Sequence, residues 1–220
     1  MRYLCLFFFM LNCQVKKSDP IKVNSETQSD IKKVNSQKTI SEIDKEFLIN
    51  DENVMEFFLE YDKLNKETSV VFIVRKSNSG IHSSQVGFPG GKPEKQDVDL
   101  SQTAIRETHE EIGVNIKTIK IIRPMTEVFI PPSNFVVKPY IGYTLKTPNF
   151  TPQISEIDSI FEVSLKSILN FNNQKKSIVK TSYGPTISVP SFVFNGHIIW
   201  GATAMILIEI VSLLNLINKK

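Results

Sequence analysis

Three carboxylates crowd into one short stretch of this chain: Glu107, Glu110 and Glu111, in the run Arg-Glu-Thr-His-Glu-Glu that opens at Arg106. If the stretch is helical, Glu107 and Glu111 stack on one face and Glu110 lies beside them, because side chains three and four apart are neighbours. Like charges so placed cost an isolated helix about 0.2–0.5 kcal/mol per pair, so helix stability alone does not select them. A hard divalent cation removes that repulsion. Mg2+ takes carboxylate oxygens, keeps several waters and completes its shell with substrate phosphates, which suits glutamates on an open face better than a closed cage. Arg106 supplies a planar fork that can hold one carboxylate while the others stay free for metal. A solvated, charged helix face is the plainer alternative.

The flanks decide between the two. Asp99 or Ser101 can cap the start of the helix through a side-chain oxygen, and Gly113 can end it in a left-handed turn. Leu100, Ala104, Ile105, Thr108 and Ile112 recur at spacings of three and four, which predicts the buried stripe and leaves the carboxylates elsewhere. Ahead of the helix stands Phe88-Pro89-Gly90-Gly91. Two glycines allow a loop to come close to a ligand, and Pro89 stiffens the approach. A glycine loop followed by a carboxylate helix favours ligand binding over a merely solvated face.

This loop and helix resemble the Nudix box of the Nudix hydrolase superfamily: Gly, five residues, Glu, seven residues, then Arg-Glu-apolar-x-Glu-Glu-x-Gly-apolar. Gly91, Arg106, Glu107, Glu110, Glu111, Gly113 and Val114 match. Gly91 stands one residue further from Arg106 than the pattern asks, Asp97 replaces the first Glu, and Thr108 takes an apolar place. Upstream, Arg75, His82, Gln85 and the Phe88-Pro89-Gly90-Gly91 run are similar to the signature of the coenzyme A diphosphatase branch, which tolerates the longer loop and the Asp. Ser84 and Lys76 depart from that signature. Similarity to the same branch extends from about Val70 to Leu213, through the Pro131-Pro132-Ser133 turn and the Val189 to Ala204 segment.

The resemblance implies an α/β fold, the Nudix-type α/β/α sandwich with a central mixed β-sheet. It implies hydrolysis of the diphosphate bond of coenzyme A or its derivatives, giving 3',5'-ADP and (acyl-)4'-phosphopantetheine. Mg2+ or Mn2+ would be held by Glu107 and Glu111, aided by Glu110. Glu110 or Glu156 would take a proton from water, with Arg106 supporting the carboxylates. Arg75, His82, Gln85, Gly90, Gly91 and Asn134 fall on the substrate side. Asn134 and its prolines can equally serve only the geometry of a turn. A loop-ordering hydrogen bond is an equal reading of His82, while His109 is expected to face solvent and His197 carries no signal. Alternatives are a Nudix hydrolase acting on ADP-ribose or a dinucleotide, and a non-catalytic Nudix ligand-binding domain.

The elements that must position these residues follow from pattern. β-Branched and aromatic runs at 54–61 and 69–75 predict paired strands leading into the glycine loop. After the helix, 117–122, 127–130 and 135–143 read as extended, interrupted at Pro124 and at the Pro131-Pro132 turn, and 159–165 follows a polar loop. Further strands are expected at 177–183, 187–194 and 197–200, with Asn195-Gly196 a strong turn dipeptide. Residues 202–217 predict a closing apolar helix, and Glu209 near its middle argues for core packing over a membrane span.

With 220 residues the chain supports one domain of ordinary size, assigned to 46–220. A net charge of +3, from scattered lysines, gives no case for a nucleic-acid surface, so the expected partner is a small molecule. Cys5 and Cys13 are the only cysteines, which excludes a disulfide framework and a Cys/His zinc site. Residues 1–45 are read as an extension. Its apolar run from Tyr3 to Leu11 is too short to span a membrane but suits a signal core, with Cys13 as a lipoprotein cysteine. Met10-Leu11-Asn12 is a poor cleavage site, which favours a loosely ordered extension or an upstream start, and a cytoplasmic location.

Overall fold

The computed structural model describes residues 4–9, 12–14, 68–76, 85–144, 146–170, 173–180 and 184–218. In chain order its strands are β1 Leu4–Phe9, β2 Asn12–Gln14, β3 Thr68–Arg75, β4 Val86–Gly87, β5 Lys120–Pro124, β6 Val128–Ile130, β7 Phe135–Val137, β8 Tyr140–Thr144, β9 Ile157–Ser164, β10 Gln174–Lys180, β11 Thr186–Phe194 and β12 His197–Trp200. The helices are α1 Leu100–Ile112, α2 Leu165–Leu169 and α3 Gly201–Asn218.

Strand β3 explains the layering. Val70, Val71, Phe72 and Ile73 are all fully buried, and successive side chains of a strand point to opposite faces. A strand apolar on both faces must be covered on both. Val70 and Phe72 join the cluster that includes Ile206, Leu207, Ile210 and Val211 of α3. Val71 and Ile73 join Ala104 and Ile112 of α1, together with Val114 and Ile157. The result is the expected α/β/α arrangement, with α1 and α3 on opposite sides of β3.

In the main sheet, β3 pairs antiparallel with β9 from Ser69↔Ser164 to Arg75↔Ile157. Its other edge is shared: β1 runs parallel from Leu4↔Thr68 to Leu6↔Val70, and β4 is antiparallel at Ile73↔Gly87 and Val74↔Val86. Antiparallel β8 and then β5 complete the sheet beyond β1, so it is mixed. The described residues also form two three-stranded sheets, β10-β11-β12 and β2-β7-β6.

Several expectations are revised. The apolar run near the amino end forms an inner strand, β1, paired with β3 on one side and β8 on the other. A short apolar run suits a buried strand as well as a signal core, and periodicity alone does not separate them. The expected strand at 54–61 and the proposed boundary at 45/46 lie outside the described residues. The strand expected at 117–122 begins as a 3-10 turn, Ile116–Thr118, because the Asn115 side chain accepts from Lys117 N and caps it. The extended 135–143 segment breaks at Lys138-Pro139, where Pro139 O accepts from Met125 N at 2.8 Å. Strand β9 stops at Ser164, whose hydroxyl caps α2.

Helix α3 packs as the sequence implied. Glu209 accepts from Thr126 N at 3.2 Å and from its hydroxyl at 3.0 Å. Among the described residues no helix is long and apolar enough to cross a membrane. Phe72 stacks between Phe88, 5.0 Å away, and Phe161, 5.3 Å away, so it joins the glycine loop to the sheet. Phe72→Ala is expected to destabilise the fold by about 3–5 kcal/mol in urea titrations, the range for deleting a buried aromatic.

Candidate active site

Helix α1 carries the acidic cluster, and both its ends are fixed by local chemistry. Of the two candidate caps Asp99 takes the role: its carboxylate accepts from Gln102 N at 2.9 Å, and the Ser101 hydroxyl donates to it at 2.6 Å. At the other end Gly113 adopts φ 75° and its N–H bonds His109 O at 2.9 Å. A Cβ there would also stand 2.9 Å from Thr151 Cβ. That closeness reflects a loop strapped to the helix end, where Thr151 N bonds Ile112 O at 3.0 Å and Gln153 N bonds Glu111 O at 2.8 Å. Thr108, the polar residue at an apolar place of the motif, is fully buried and satisfies its hydroxyl on Ala104 O at 2.8 Å.

The buried stripe is not purely neutral. Glu111, expected away from it, is only 2% exposed. Its Oε1 accepts from Arg75 Nη1 at 2.7 Å and its Oε2 from Gly90 N at 2.8 Å, while Arg75 Nη2 donates to Gly90 O at 2.8 Å. Gly90 meets both partners at φ 148°, a conformation other residues rarely adopt. The loop is anchored by Phe88, fully buried against Phe72. Burial pushes the Glu111 carboxyl up to about 7, against the pull of Arg75 and the Gly90 amide. Burial also raises Glu107, whose carboxylate lies against Gly91 so closely that a Cβ on that glycine would overlap it.

Arg106 organises the other side of the helix, and it holds more than the one carboxylate expected. Its Nε and Nη2 form a fork on Asp97, each bond 3.0 Å long. Nη1 donates to Glu110 Oε2 at 2.8 Å and stands 3.3 Å from Glu107 Oε1, and Nη2 also reaches Lys92 O at 2.9 Å. The guanidinium holds the Asp97 carboxyl well below the usual carboxylate range, helped by the Thr103 hydroxyl at 2.9 Å. Asp97 thus belongs to the site although sequence reading gave it no role. Its signal was its place at the first acidic position of the motif. Glu110 is bonded to Arg106 yet about half exposed, so it faces solvent.

The remaining predicted residues scatter. Gln85 O accepts from Arg75 N at 3.1 Å. Arg75, expected on the substrate side, is committed to Glu111 and Gly90. Asn134 has φ 53° and closes the Pro131–Ser133 turn by donating its N–H to Pro131 O, which is the turn role. The turn nevertheless lies near the loop, since Lys92 Nζ stands 5.1 Å over the Phe135 ring. Glu156 is exposed, and its carbonyl accepts from Lys76 N at 2.8 Å. It directly precedes Ile157, the partner of Arg75 in the sheet. His82 lies outside the described residues. His109 is exposed as expected, with Nδ1 3.0 Å from Val114 O.

Among the described residues no three acidic, His or Cys side chains are gathered into a metal cage. In the expected trio, Arg75 and Gly90 bond both oxygens of Glu111, and Arg106 bonds Glu110. The donor chemistry nonetheless suits a hard cation. Glu107 and Glu111 are half-buried and buried oxygen donors, both with raised pKa, and the charge on Glu107 helps raise Glu111. A bound cation would relieve the repulsion between the two.

A mixed sheet between two helical layers, with a glycine loop folded against a carboxylate helix, defines a Nudix domain. The NUDIX domain model matches residues 61–181, and the chain belongs to this family. Over 141 residues it is 30% identical to mitochondrial coenzyme A diphosphatase NUDT8 of Mus musculus, covering 63% of this chain and 67% of that protein. Against the Homo sapiens protein of the same name the identity is 30% over 140 residues, 63% and 59% of the two chains. The peroxisomal coenzyme A diphosphatase ndx-8 of Caenorhabditis elegans is 26% identical over 152 residues, 68% and 63% of the two chains. The chain spans about half to two thirds of the length of the first curated relatives it matches.

Two predictions follow from the geometry. Gly91→Ala forces aside only the far end of the Glu107 side chain, so the melting temperature should barely move while diphosphate hydrolysis falls by about tenfold or more. Calorimetry and chromatographic separation of the hydrolysis products on one preparation check both halves. The second concerns pH. Because the folded Glu111 carboxyl titrates near 7 and not near its ordinary 4.5, the stability it contributes is fully present below 4.5 and is lost as pH rises through 7. Asp97 acts oppositely, and only below its ordinary 3.8. In chelator, Glu111→Gln should therefore flatten the decline in melting temperature between about pH 5 and pH 8. An unchanged slope would contradict the buried, raised carboxyl.

Proposed function

We propose that this protein hydrolyses the diphosphate bond of coenzyme A or a derivative, releasing 3',5'-ADP and (acyl-)4'-phosphopantetheine, with Mg2+ or Mn2+ as cofactor. The observation that carries the reading is the placement of Glu107 and Glu111 against Gly91 and Gly90, inside the segment that resembles the coenzyme A diphosphatase signature. Relatives named as coenzyme A diphosphatases support it.

Glu107 and Glu111 would hold the cation, with Glu110 alongside. When bound, the ion supplies charge neutralisation at the diphosphate and a more acidic water. The chain's own residues do the rest. The Gly90-Gly91 loop lets the diphosphate approach the backbone without side-chain obstruction. Arg106 orients Glu110 through a 2.8 Å bond, leaving an exposed carboxylate suited to accept a proton from water. Glu156, exposed just before β9, is the second candidate for that step. Asp97 fixes Arg106 so that its fork keeps one orientation.

The test is product identification after incubation of the purified protein with coenzyme A, ADP-ribose and a dinucleoside diphosphate in parallel, each with Mg2+ or Mn2+. Formation of 3',5'-ADP and 4'-phosphopantetheine, faster than turnover of the other two, is the expected result. Preferential cleavage of ADP-ribose would reject the assignment of substrate. Binding without cleavage of any would leave a ligand-binding Nudix domain.

A further inference from the structure

Arg75 ends β3, and its backbone is pinned on both edges: the N–H bonds Gln85 O at 3.1 Å and the residue pairs with Ile157 of β9. Its guanidinium is divided between two acceptors, the Glu111 carboxylate at 2.7 Å and the Gly90 carbonyl at 2.8 Å. The Glu111 side chain is 3% exposed, so a full negative charge there needs a partner inside the protein. Arg75 supplies it. The charge and the oxygen that a divalent ion would use are thereby already engaged by a cation belonging to the chain.

Resting on the reading of Glu111 as a metal ligand, we propose that Arg75 is a positioning residue that serves as the internal counter-cation of Glu111, competing with the divalent ion for the same carboxylate oxygen. Arg75 and the ion cannot both take Oε1 at full strength, since each wants the lone pairs of one oxygen and their like charges repel. When the ion binds, only the side chain of Arg75 has to turn, because its backbone is held by the sheet. The released fork, beside Gly90, suits the oxygens of a diphosphate. Two positions of one side chain thus reconcile its contact with Glu111 and its place in a substrate-side signature.

The experiment is Mn2+ titration by calorimetry at fixed pH, with the wild type, Arg75→Met, Arg75→Lys and Glu111→Gln. Competition predicts that Arg75→Met binds Mn2+ about tenfold tighter or more, while its chelator-treated form melts lower and gains more from Mn2+ than the wild type does. Arg75→Lys keeps the charge and should stay near the wild-type affinity. Equal or weaker Mn2+ binding by Arg75→Met would overturn the proposal, because Arg75 would then be preparing Glu111 for the ion. A measurement on the intact protein covers a variant that fails to fold: the guanidinium protons of 15N-labelled Arg75 should lose protection from exchange on saturation with Mg2+. Continued protection would also overturn it. Glu111→Gln separates the two layers: if it binds Mn2+ like the wild type, the assignment of the ligand itself is wrong and the competition falls with it. Weak binding by Glu111→Gln without tightening by Arg75→Met rejects the competition alone.

Discussion

The Glu111 carboxylate sits where β3, the glycine loop and α1 meet, and it ties all three together by bonding the Arg75 side chain and the Gly90 backbone at once. A buried charge is tolerated when it is paired and its lone pairs are filled, and removing one partner of such a pair typically costs about 3–5 kcal/mol. That requirement dictates much of the neighbourhood. It asks for a glycine at position 90, whose amide must face the helix at a backbone angle closed to most residues. It asks for an arginine at the end of β3. It also asks that the loop be held down, which Phe88 does from inside the core.

The two faces of α1 divide the electrostatic work between them. On one side burial outweighs pairing, and Glu107 and Glu111 keep raised affinities for a proton despite Arg106 and Arg75 beside them. On the other, Arg106 holds Asp97 firmly ionised and orients Glu110 without burying it. Neither side could be built on a flexible helix. The side-chain caps, the strap from Thr151 and Gln153, and the packing of Ala104 and Ile112 on β3 keep the carboxylates at fixed heights over the loop.

Much of this was legible in the order of residues. The helix limits followed from Asp99 and Gly113, the strand β3 from its β-branched run, and the family from the spacing of Gly91, Arg106 and the glutamates. What was not legible has physical causes. Periodicity puts Glu111 away from the apolar stripe, and only a long-range partner such as Arg75, 36 residues away, makes its burial tolerable. Local pattern could not show that partner. Asp97 was recognised as a departure from a motif and not as the anchor of Arg106, because the fork spans a loop whose path the sequence does not specify. The pairing of Leu4–Phe9 was not legible, since an apolar run reads alike in a signal core and in a sheet interior.

The central claim is that Glu107 and Glu111, gathered against Gly90-Gly91, form the seat of a hard cation. It is tested most directly by diffraction from crystals grown with Mn2+, using the anomalous signal of the metal. The account predicts a manganese peak at about 2–2.6 Å from carboxylate oxygens of both glutamates, on the loop side of α1. A peak elsewhere on the molecule, or both carboxylates unchanged with Arg75 still bonded to Glu111 at saturating Mn2+, would contradict it.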